Sequence, residues 1–520
     1  MNLSTLDLSV IGVYALFIIG LAQWVSREKP GHDKTTEDYF LAGKSLPWWA
    51  IGASLIAANI SAEQIIGMSG SGYALGLGIA SYEWMSAITL LIVGKYFLPI
   101  FLKHGIYTMP QYLEQRYDHR VRMIMAVFWL SLYVVVNLTA ILWLGALAIN
   151  TVTGLDLVYG LVILGVLATA YSLYGGLKAV AFTDIVQVVL LVFGGLLITY
   201  LTLDKIGGDS GVVGGFNELT AKLPEKFDMI LSPDNPFYKD LPGISVLVGG
   251  MWIMNLSYWG FNQYIIQRAL AAKSVQEAQK GIAFAAYLKL LMPVIVVLPG
   301  IAAVMLAPDL SSPDKAYPEM MKLVPAGLKG LVFAALIAAI LSSLGSMMNS
   351  ISTIFTMDIY RHFKPDTDTN KLVSIGRIVA LTAIVIAMII AKPLLGNFSQ
   401  AFQFIQEFTG FFTPGIVVLF LLGMFWKKTT ATAALTAAVG SFVLSLLGKL
   451  FWPELPFMDR VGLVFLACTV LAVVISLQSR QEVKGETVNV GEVNFSTSNG
   501  FNIATVGVVL ILSALYATWW

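Results

Sequence analysis

Residues 57–73 read AANISAEQIIGMSGSGY, which puts Asn59, Ser61, Glu63 and Gln64, then Gly67, Gly70 and Gly72, into a run that is apolar on both sides. A second stretch of this kind, residues 255–263, reads NLSYWGFNQ. Neither suits a plain helix in lipid, because buried amides and hydroxyls need partners and glycine weakens a helix. An interrupted helix frees backbone carbonyls, and that is tolerated at membrane depth only where they line a cavity or hold an ion. For one stretch alone, close packing through small residues such as Gly72 and Gly76 is an adequate alternative. For two stretches in register it is a poor one.

The surroundings establish the membrane. Of 520 residues, 57% are hydrophobic and 12% charged, too little polar surface to clothe a soluble protein of that size. Apolar runs of about 20 residues, the length needed to cross a hydrocarbon core, recur from end to end. Spans are expected near 5–26, 47–72, 78–102, 122–150, 156–175, 180–203, 244–267, 281–306, 325–356, 373–392, 400–425, 430–449, 459–478 and 500–519. The expected fold class is therefore all-α, a polytopic membrane protein of about fourteen transmembrane helices. Basic residues, Arg27 and Lys29, follow the first run instead of preceding it, as in a retained helix and unlike a cleaved leader. With both termini outside, the inner segments hold about twice as many Lys and Arg as the outer ones, so both termini are expected to be extracytoplasmic. Cys468 is single, which excludes a disulfide framework. A net charge of +1 without a basic cluster gives no sign of a nucleic-acid partner.

The interrupted spans are the second and the seventh. An odd spacing of five inverts one relative to the other, the arithmetic of a five-plus-five inverted repeat. The expected organisation is a first peripheral helix with its cytoplasmic loop (1–46), a first repeat (47–203), an extracytoplasmic loop acting as lid or spacer at most (204–243), a second repeat (244–425) and three peripheral helices (426–520).

Ionisable groups inside a membrane are functional candidates by default; here they are Glu63, Glu83, Asp184, Lys289 and Glu407. Glu83 and Lys289 can equally form a structural ion pair, and Asp184 can be a helix N-terminal acid. Ser342-Ser343 interrupt an apolar helix; beside a broken helix, hydroxyls and freed carbonyls are hard oxygen donors for a small cation. The polar complement of the expected cavity is Gln64, Glu83, Ser86, Asn255, Lys289 and Gln406, with Tyr82, Tyr258, Trp259 and Phe402 as aromatic neighbours. That set suits a neutral polyhydroxylated molecule. No arginine is expected deep in a span, which argues against an anionic substrate. The Asp366-Thr367-Asp368 loop reads as a solvated turn, although the pair also occurs in metal-dependent glycosyltransferases. A membrane enzyme, a transporter-like sensor and a carrier of another small solute, such as an amino acid or vitamin, are the rival readings.

Ala57–Tyr73, Ser81–Ser86 (SYEWMS), Tyr171–Gln187 (YSLYGGLKAVAFTDIVQ), Tyr258–Arg268 (YWGFNQYIIQR) and Ala401–Thr409 (AFQFIQEFT) resemble the sodium/solute symporter family, in its bacterial sodium/galactose branch. The similarity runs from residue 5 to the C-terminus. It implies a LeuT-like core formed by spans two to eleven, sodium as the co-transported ion, a hexose (galactose and/or glucose) as substrate, residence in the bacterial inner membrane, and no enzyme activity. A homodimer is left open. The resemblance implies sugar contacts at Gln64, Glu83, Ser86, Asn255, Lys289 and Gln406, with Asn59 close by. Tyr258 would be the inner gate, supported by Asn59 and Trp259, while Met68, Tyr82 and Phe402 would close the outer side. Sodium would take the carbonyls of Ala57, Ile60 and Ala339 and the hydroxyls of Ser342 and Ser343, with Asp184 on its exit path. Gly345 replaces a hydroxyl found in relatives that carry a second sodium, which implies one sodium per sugar.

Overall fold

The computed structural model describes residues 3–25, 27, 30–31, 42–106, 108–172 and 177–520, with only the backbone of 177–179 included. Gly175 and Gly176 of the family-like stretch lie outside the described residues. Among the described residues there is no strand, and a single bridge joins Leu46 to Ala272.

The helices that position the site are α1 (Thr5–Val25), α2 (Trp48–Asn59), α3 (Glu63–Leu75), α4 (Leu77–His104), α5 (His119–Thr153), α6 (Leu157–Ser172) and α7 (Leu177–Gly207). After a segment that carries a further helix, Gly211–Lys222, come α8 (Gly250–Phe261), α9 (Gln263–Leu270), α10 (Val275–Leu306), α11 (Leu328–Phe363) and α12 (Thr369–Leu395). The chain ends with α13 (Ala401–Thr409), α14 (Thr413–Phe425), α15 (Ala431–Phe451), α16 (Phe457–Gln478) and α17 (Asn499–Trp519). Counted among the described residues, ten helices are long and apolar enough to cross a membrane, and two bent pairs raise the number to twelve.

Helix starts follow ordinary capping chemistry. Ser274, Thr430 and Ser498 accept backbone N–H groups at the starts of α10, α15 and α17, satisfying donors that the first turn cannot use itself. The start of α11 is capped from another helix: Asp7 of α1 accepts from Gly327 N at 2.7 Å and Gly330 N at 2.8 Å. This fastens the peripheral helix α1 to α11, which carries Ser342 and Ser343.

Helix α10 is the central strut and packs on α2, α3, α4 and α7. Large apolar residues are exposed along α1, α6, α7, α12, α15, α16 and α17, on faces that a bilayer would cover. The segment 204–243 is docked over the C-terminal end of α3. Lys226 donates to the carbonyls of Tyr73 (3.2 Å) and Ala74 (2.6 Å), which the helix C-terminus leaves open. Gly76, at φ +97°, lies so near Lys226 that a Cβ would come within 2.3 Å of its carbonyl oxygen, so this position requires glycine on two counts.

Candidate functional site

Helix α2 ends at Asn59. Ile60 leaves helical geometry (φ −73°, ψ 77°), and the Ser61 N–H turns to the Asn59 carbonyl at 2.8 Å. In a continuous helix that N–H would pair with Ala57, so the break releases the Ala57 carbonyl. The chain resumes as a π-helix over Glu63–Met68, a wide turn met mainly at functional sites, and its axis is bent by 58°. The polar run therefore breaks the helix because Asn59, Glu63 and Gln64 find partners or space in a cavity that a straight span would not give them. Helix α11 packs against α2 and brings Ala339, Ser342 and Ser343, all buried. Ser343 Oγ has no partner, whereas Ser342 Oγ donates to Asp184 Oδ1 at 2.6 Å.

One helical turn away, Asn59, Glu63, Gln64, Tyr82, Glu83, Asn255, Tyr258, Trp259, Phe402 and Gln406 line a single cavity. Lys289 on α10 reaches its wall, with Nζ 2.5 Å from Glu83 Oε2 and a hydrogen bond to Asn59 Oδ1. The same ammonium stands 4.9 Å above the Trp259 ring. Asn59 Nδ2 in turn donates to the Tyr258 hydroxyl at 3.0 Å, which also accepts from the Tyr264 hydroxyl at 3.1 Å. Charge pair, amide and the Tyr258 hydroxyl thus form one hydrogen-bonded line. Gln64 Oε1, Tyr82 OH, Asn255 Nδ2 and Thr409 Oγ1 are buried around the same space with no protein partner. Such groups are expected to meet a ligand or water, since an unpaired buried polar atom is costly.

Aromatic contacts flank the cavity on both sides. Tyr82 and Phe402 meet edge to face at 5.0 Å, with Met68 buried near them. On the other side Tyr258 packs against Trp259 at 5.0 Å, and Tyr133 OH donates to Asn262 Oδ1 at 2.6 Å. Asn262 is extended (φ −84°, ψ 122°) between α8 and α9, which places the second interruption where NLSYWGFNQ suggests it. A third break, unexpected from sequence, bends α13 against α14 by 48°.

Asp184 is fully buried on α7 and also accepts from Ser54 Oγ (3.3 Å) and Arg268 Nη2 (3.5 Å). Arg268 donates further to Ser54 Oγ, Ser346 Oγ and the Tyr264 carbonyl. Arg268, one residue past the expected end of the seventh span, has no exposed surface, because four helices supply its partners. It faces the Ser342 side and does not line the sugar-type cavity, so it gives no seat for an anionic substrate there.

Asp314 sits in the segment between α10 and α11. Its Oδ2 accepts from Ala401 N, the first residue of α13, at 3.0 Å, while Oδ1 is unpartnered against Gly70. A Cβ on Gly70 would lie 2.3 Å from that oxygen. Burial raises the Asp314 carboxyl from 3.8 to about 7. The protonated form therefore favours this packed arrangement; the stabilisation is complete below 3.8 and is lost as pH rises through about 7. Acidification from neutrality to about pH 5 is expected to slow transport severalfold by holding the contact between Asp314 and α13 closed. Asp314→Asn should be pH-insensitive over that range, measured as initial uptake rate against external pH.

Nine of the expected cavity and gate residues, Asn59, Gln64, Tyr82, Glu83, Asn255, Tyr258, Trp259, Phe402 and Gln406, line the cavity together. Ser86 stands apart from the lining and donates to its own helix at Glu83 O (2.5 Å). Met68 is buried and is not among the lining residues. Glu407 lies away from the cavity, bonded to Lys449 and Arg460 at 2.6 and 3.5 Å. Asp366 and Asp368 are exposed on a loop. Reasoning from sequence missed Asn137, which donates to Glu63 Oε1 at 3.3 Å, and Thr409, both on the cavity wall. Single polar residues on apolar helices carry no signal that separates them from back-bonded ones.

Residues 39–440 match the profile of the sodium:solute symporter family. The chain is 52% identical to a sodium/glucose cotransporter of Vibrio parahaemolyticus, covering 100% of this chain and 99% of that one. It is 34% identical to the human sodium/myo-inositol cotransporter 2 over 85% of this chain and 69% of the relative. Among solved structures, a sodium-coupled sialic acid symporter in a substrate-bound outward-open state superimposes with a TM-score of 0.79 at 23% identity, covering 92% of this chain and 99% of that one. The sequence match, its full-length coverage and the shared fold together place this chain in the sodium:solute symporter family.

Proposed function

We propose that the protein couples inward sodium movement to uptake of a hexose, galactose and/or glucose, by alternating access, with one sodium per sugar. As a symporter it returns its substrate chemically unchanged. The observation that carries the reading is the cavity around the Glu83–Lys289–Asn59 line, where Gln64, Tyr82, Asn255 and Thr409 hold unpartnered polar atoms beside flat rings. Donors, acceptors and an aromatic face are what a pyranose asks for. Gln64, Glu83, Ser86, Asn255, Lys289 and Gln406 are the proposed contacts, with Asn59 beside them; Tyr258 and Trp259 are the inner gate, and Met68, Tyr82 and Phe402 the outer one.

Sodium is assigned to the carbonyls of Ala57, Ile60 and Ala339 and the hydroxyls of Ser342 and Ser343, leaving by way of Asp184. The released Ala57 carbonyl and the unpartnered Ser343 hydroxyl support that set. The ion would tie α2 to α11, and its escape would loosen the segment that holds Asn59 against Tyr258. A potential of about 100 mV contributes about 2.3 kcal/mol per charge and a tenfold gradient about 1.4. One sodium thus supports at most a few hundredfold accumulation.

Fourteen spans and a five-plus-five core are our reading of the helix order. Support comes from contacts between segments. Met229 bonds Trp519 and Lys239 pairs with Glu454, while Gln115 bonds Glu486 and Lys103 bonds Glu492. These pairs fall on opposite sides under fourteen crossings, with both termini extracytoplasmic and the protein in the bacterial inner membrane.

The test is uptake of labelled galactose and glucose into proteoliposomes with and without a sodium gradient, with amino acids, vitamins and myo-inositol as competitors. Sodium-independent uptake, or full competition by an amino acid, would overturn the assignment. Ser343→Ala is expected to raise the sodium concentration for half-maximal uptake about tenfold, the loss of one oxygen ligand being worth about 1.4 kcal/mol. An unchanged sodium dependence would refute the ion site.

A further inference from the structure

On the side of the ion-site helices away from the sugar-type cavity lies a groove of about 500 Å³ between α1, α6, α7 and α11. Its wall is apolar almost throughout, with Ile18, Leu167, Ile337 and Leu341 as examples, and among the described residues no Lys, Arg, Asp or Glu lines it. Four residues bring polar side-chain atoms to it: the Tyr171 and Thr183 hydroxyls stand 3.4 Å from each other, and the other two are unmet. Gln187 has no exposed surface and both its amide atoms are unpartnered, and the hydroxyl of Tyr14, a residue 7% exposed, is also unpartnered. Both line the groove. An unmet amide in a protein interior is rare and unfavourable. Acyl chains alone would fill the volume and leave the amide unmet; water alone would meet the amide and leave the apolar wall uncovered. A molecule with an apolar body and one polar head does both.

Depth and charge narrow the ligand. Tyr14 stands at the middle of α1, and Gln187 is about 15 Å along α7 from its start. Phospholipid headgroups do not reach that depth, and a charged head would be uncompensated there. We propose that this groove binds a neutral, membrane-dissolved molecule with an apolar body and a hydroxyl-type head, hydrogen-bonded to Gln187 and Tyr14. The occupant seats against the backs of α7 and α11, one turn from the Ser342–Asp184 hydrogen bond.

Full-length protein in phosphatidylcholine nanodiscs, photolabelled with a diazirine analogue of 1-octanol and mapped by peptide mass spectrometry, tests this. Labelling is expected to saturate within 11–22, 180–187 and 333–341, to be competed by 1-octanol, and to resist octane and octanoate. Gln187→Leu combined with Tyr14→Phe should weaken labelling about tenfold, as for the loss of two hydrogen bonds, with the elution profile of the purified variant checking its fold. Labelling that does not saturate, that octane competes as well as octanol, or that persists undiminished in a folded double variant would overturn the proposal. The competition series uses the unaltered protein and stands whatever the variant does.

Discussion

Lys289→Ala is expected to abolish hexose binding and to reduce sodium-driven uptake by at least about a hundredfold. Two losses coincide. Glu83, 2% exposed, keeps its carboxylate but loses the ammonium 2.5 Å away; breaking a buried pair by removing one partner costs about 3–5 kcal/mol. Asn59 loses the donor that orients its amide, and with it the bond by which Asn59 Nδ2 holds the Tyr258 hydroxyl. A structural ion pair and a substrate contact make different forecasts for the charge-free double variant Glu83→Gln with Lys289→Met. If the pair only supports the fold, the double variant should transport nearly normally. If it contacts sugar, the double variant should fold, keep its thermal stability and still fail to bind hexose in equilibrium titration. Gln406→Ala, which touches no charge pair, should lose hexose affinity without the stability loss of Lys289→Ala. Retained affinity in either single variant would sink the sugar assignment.

The line from Glu83 through Lys289 and Asn59 to Tyr258 also bears on coupling. Asn59 is the last residue of α2, two beyond Ala57 and one before Ile60. The proposed ion ligands and the gate's hydrogen-bond partner therefore share one break in one helix. Sugar hydroxyls that enter the Glu83–Lys289 pair and an ion that leaves Ala57 and Ile60 both act on Asn59. No long-range pathway is needed, because the two sites meet in consecutive residues.

Much of this could be read from sequence because the interruption is local. A run of amide, hydroxyl and glycine in an apolar span is visible without any partner, and both AANISAEQ and NLSYWGFNQ break where they were expected to. The bend between α13 and α14 carried a fainter mark, Gly410 and Pro414 within an apolar stretch, which an ordinary helix start also explains. The burial of Arg268 was not legible because it depends on partners from elsewhere: Ser54, Asp184 and Ser346 lie 214, 84 and 78 residues away in the chain. Ser86 shows the converse. It belongs to the polar set proposed to contact sugar, while its hydroxyl proton goes to an acceptor on its own helix. Roles for single residues came from the family resemblance, since polarity alone cannot tell a ligand contact from a packing one.

Arg268→Ala and Asp184→Asn are expected to move sodium dependence in opposite directions. Asp184 is flanked by Ser342, which donates to one oxygen, and by Arg268, which stands 3.5 Å from the other. With the guanidinium gone, the carboxylate keeps its charge beside the proposed ion path and the cation becomes its nearest compensation. Sodium should then bind more tightly and leave more slowly. With the carboxylate neutralised, the buried guanidinium is unopposed and should repel the ion. A unit charge within ~10 Å at an effective dielectric of about 20 contributes about 1.7 kcal/mol, more than tenfold in either direction. For Arg268→Ala, the sodium concentration giving half-maximal uptake should fall about tenfold while the maximal rate falls as well, because release becomes limiting. For Asp184→Asn, that concentration should rise by a similar factor, and the double variant should return toward the starting value. Arg268→Lys keeps the charge and should preserve the sodium dependence even where it lowers stability. Equal sodium dependence in all four variants, with only thermal stability changed, would reduce the Arg268–Asp184 pair to a structural contact and remove Asp184 from the ion's path.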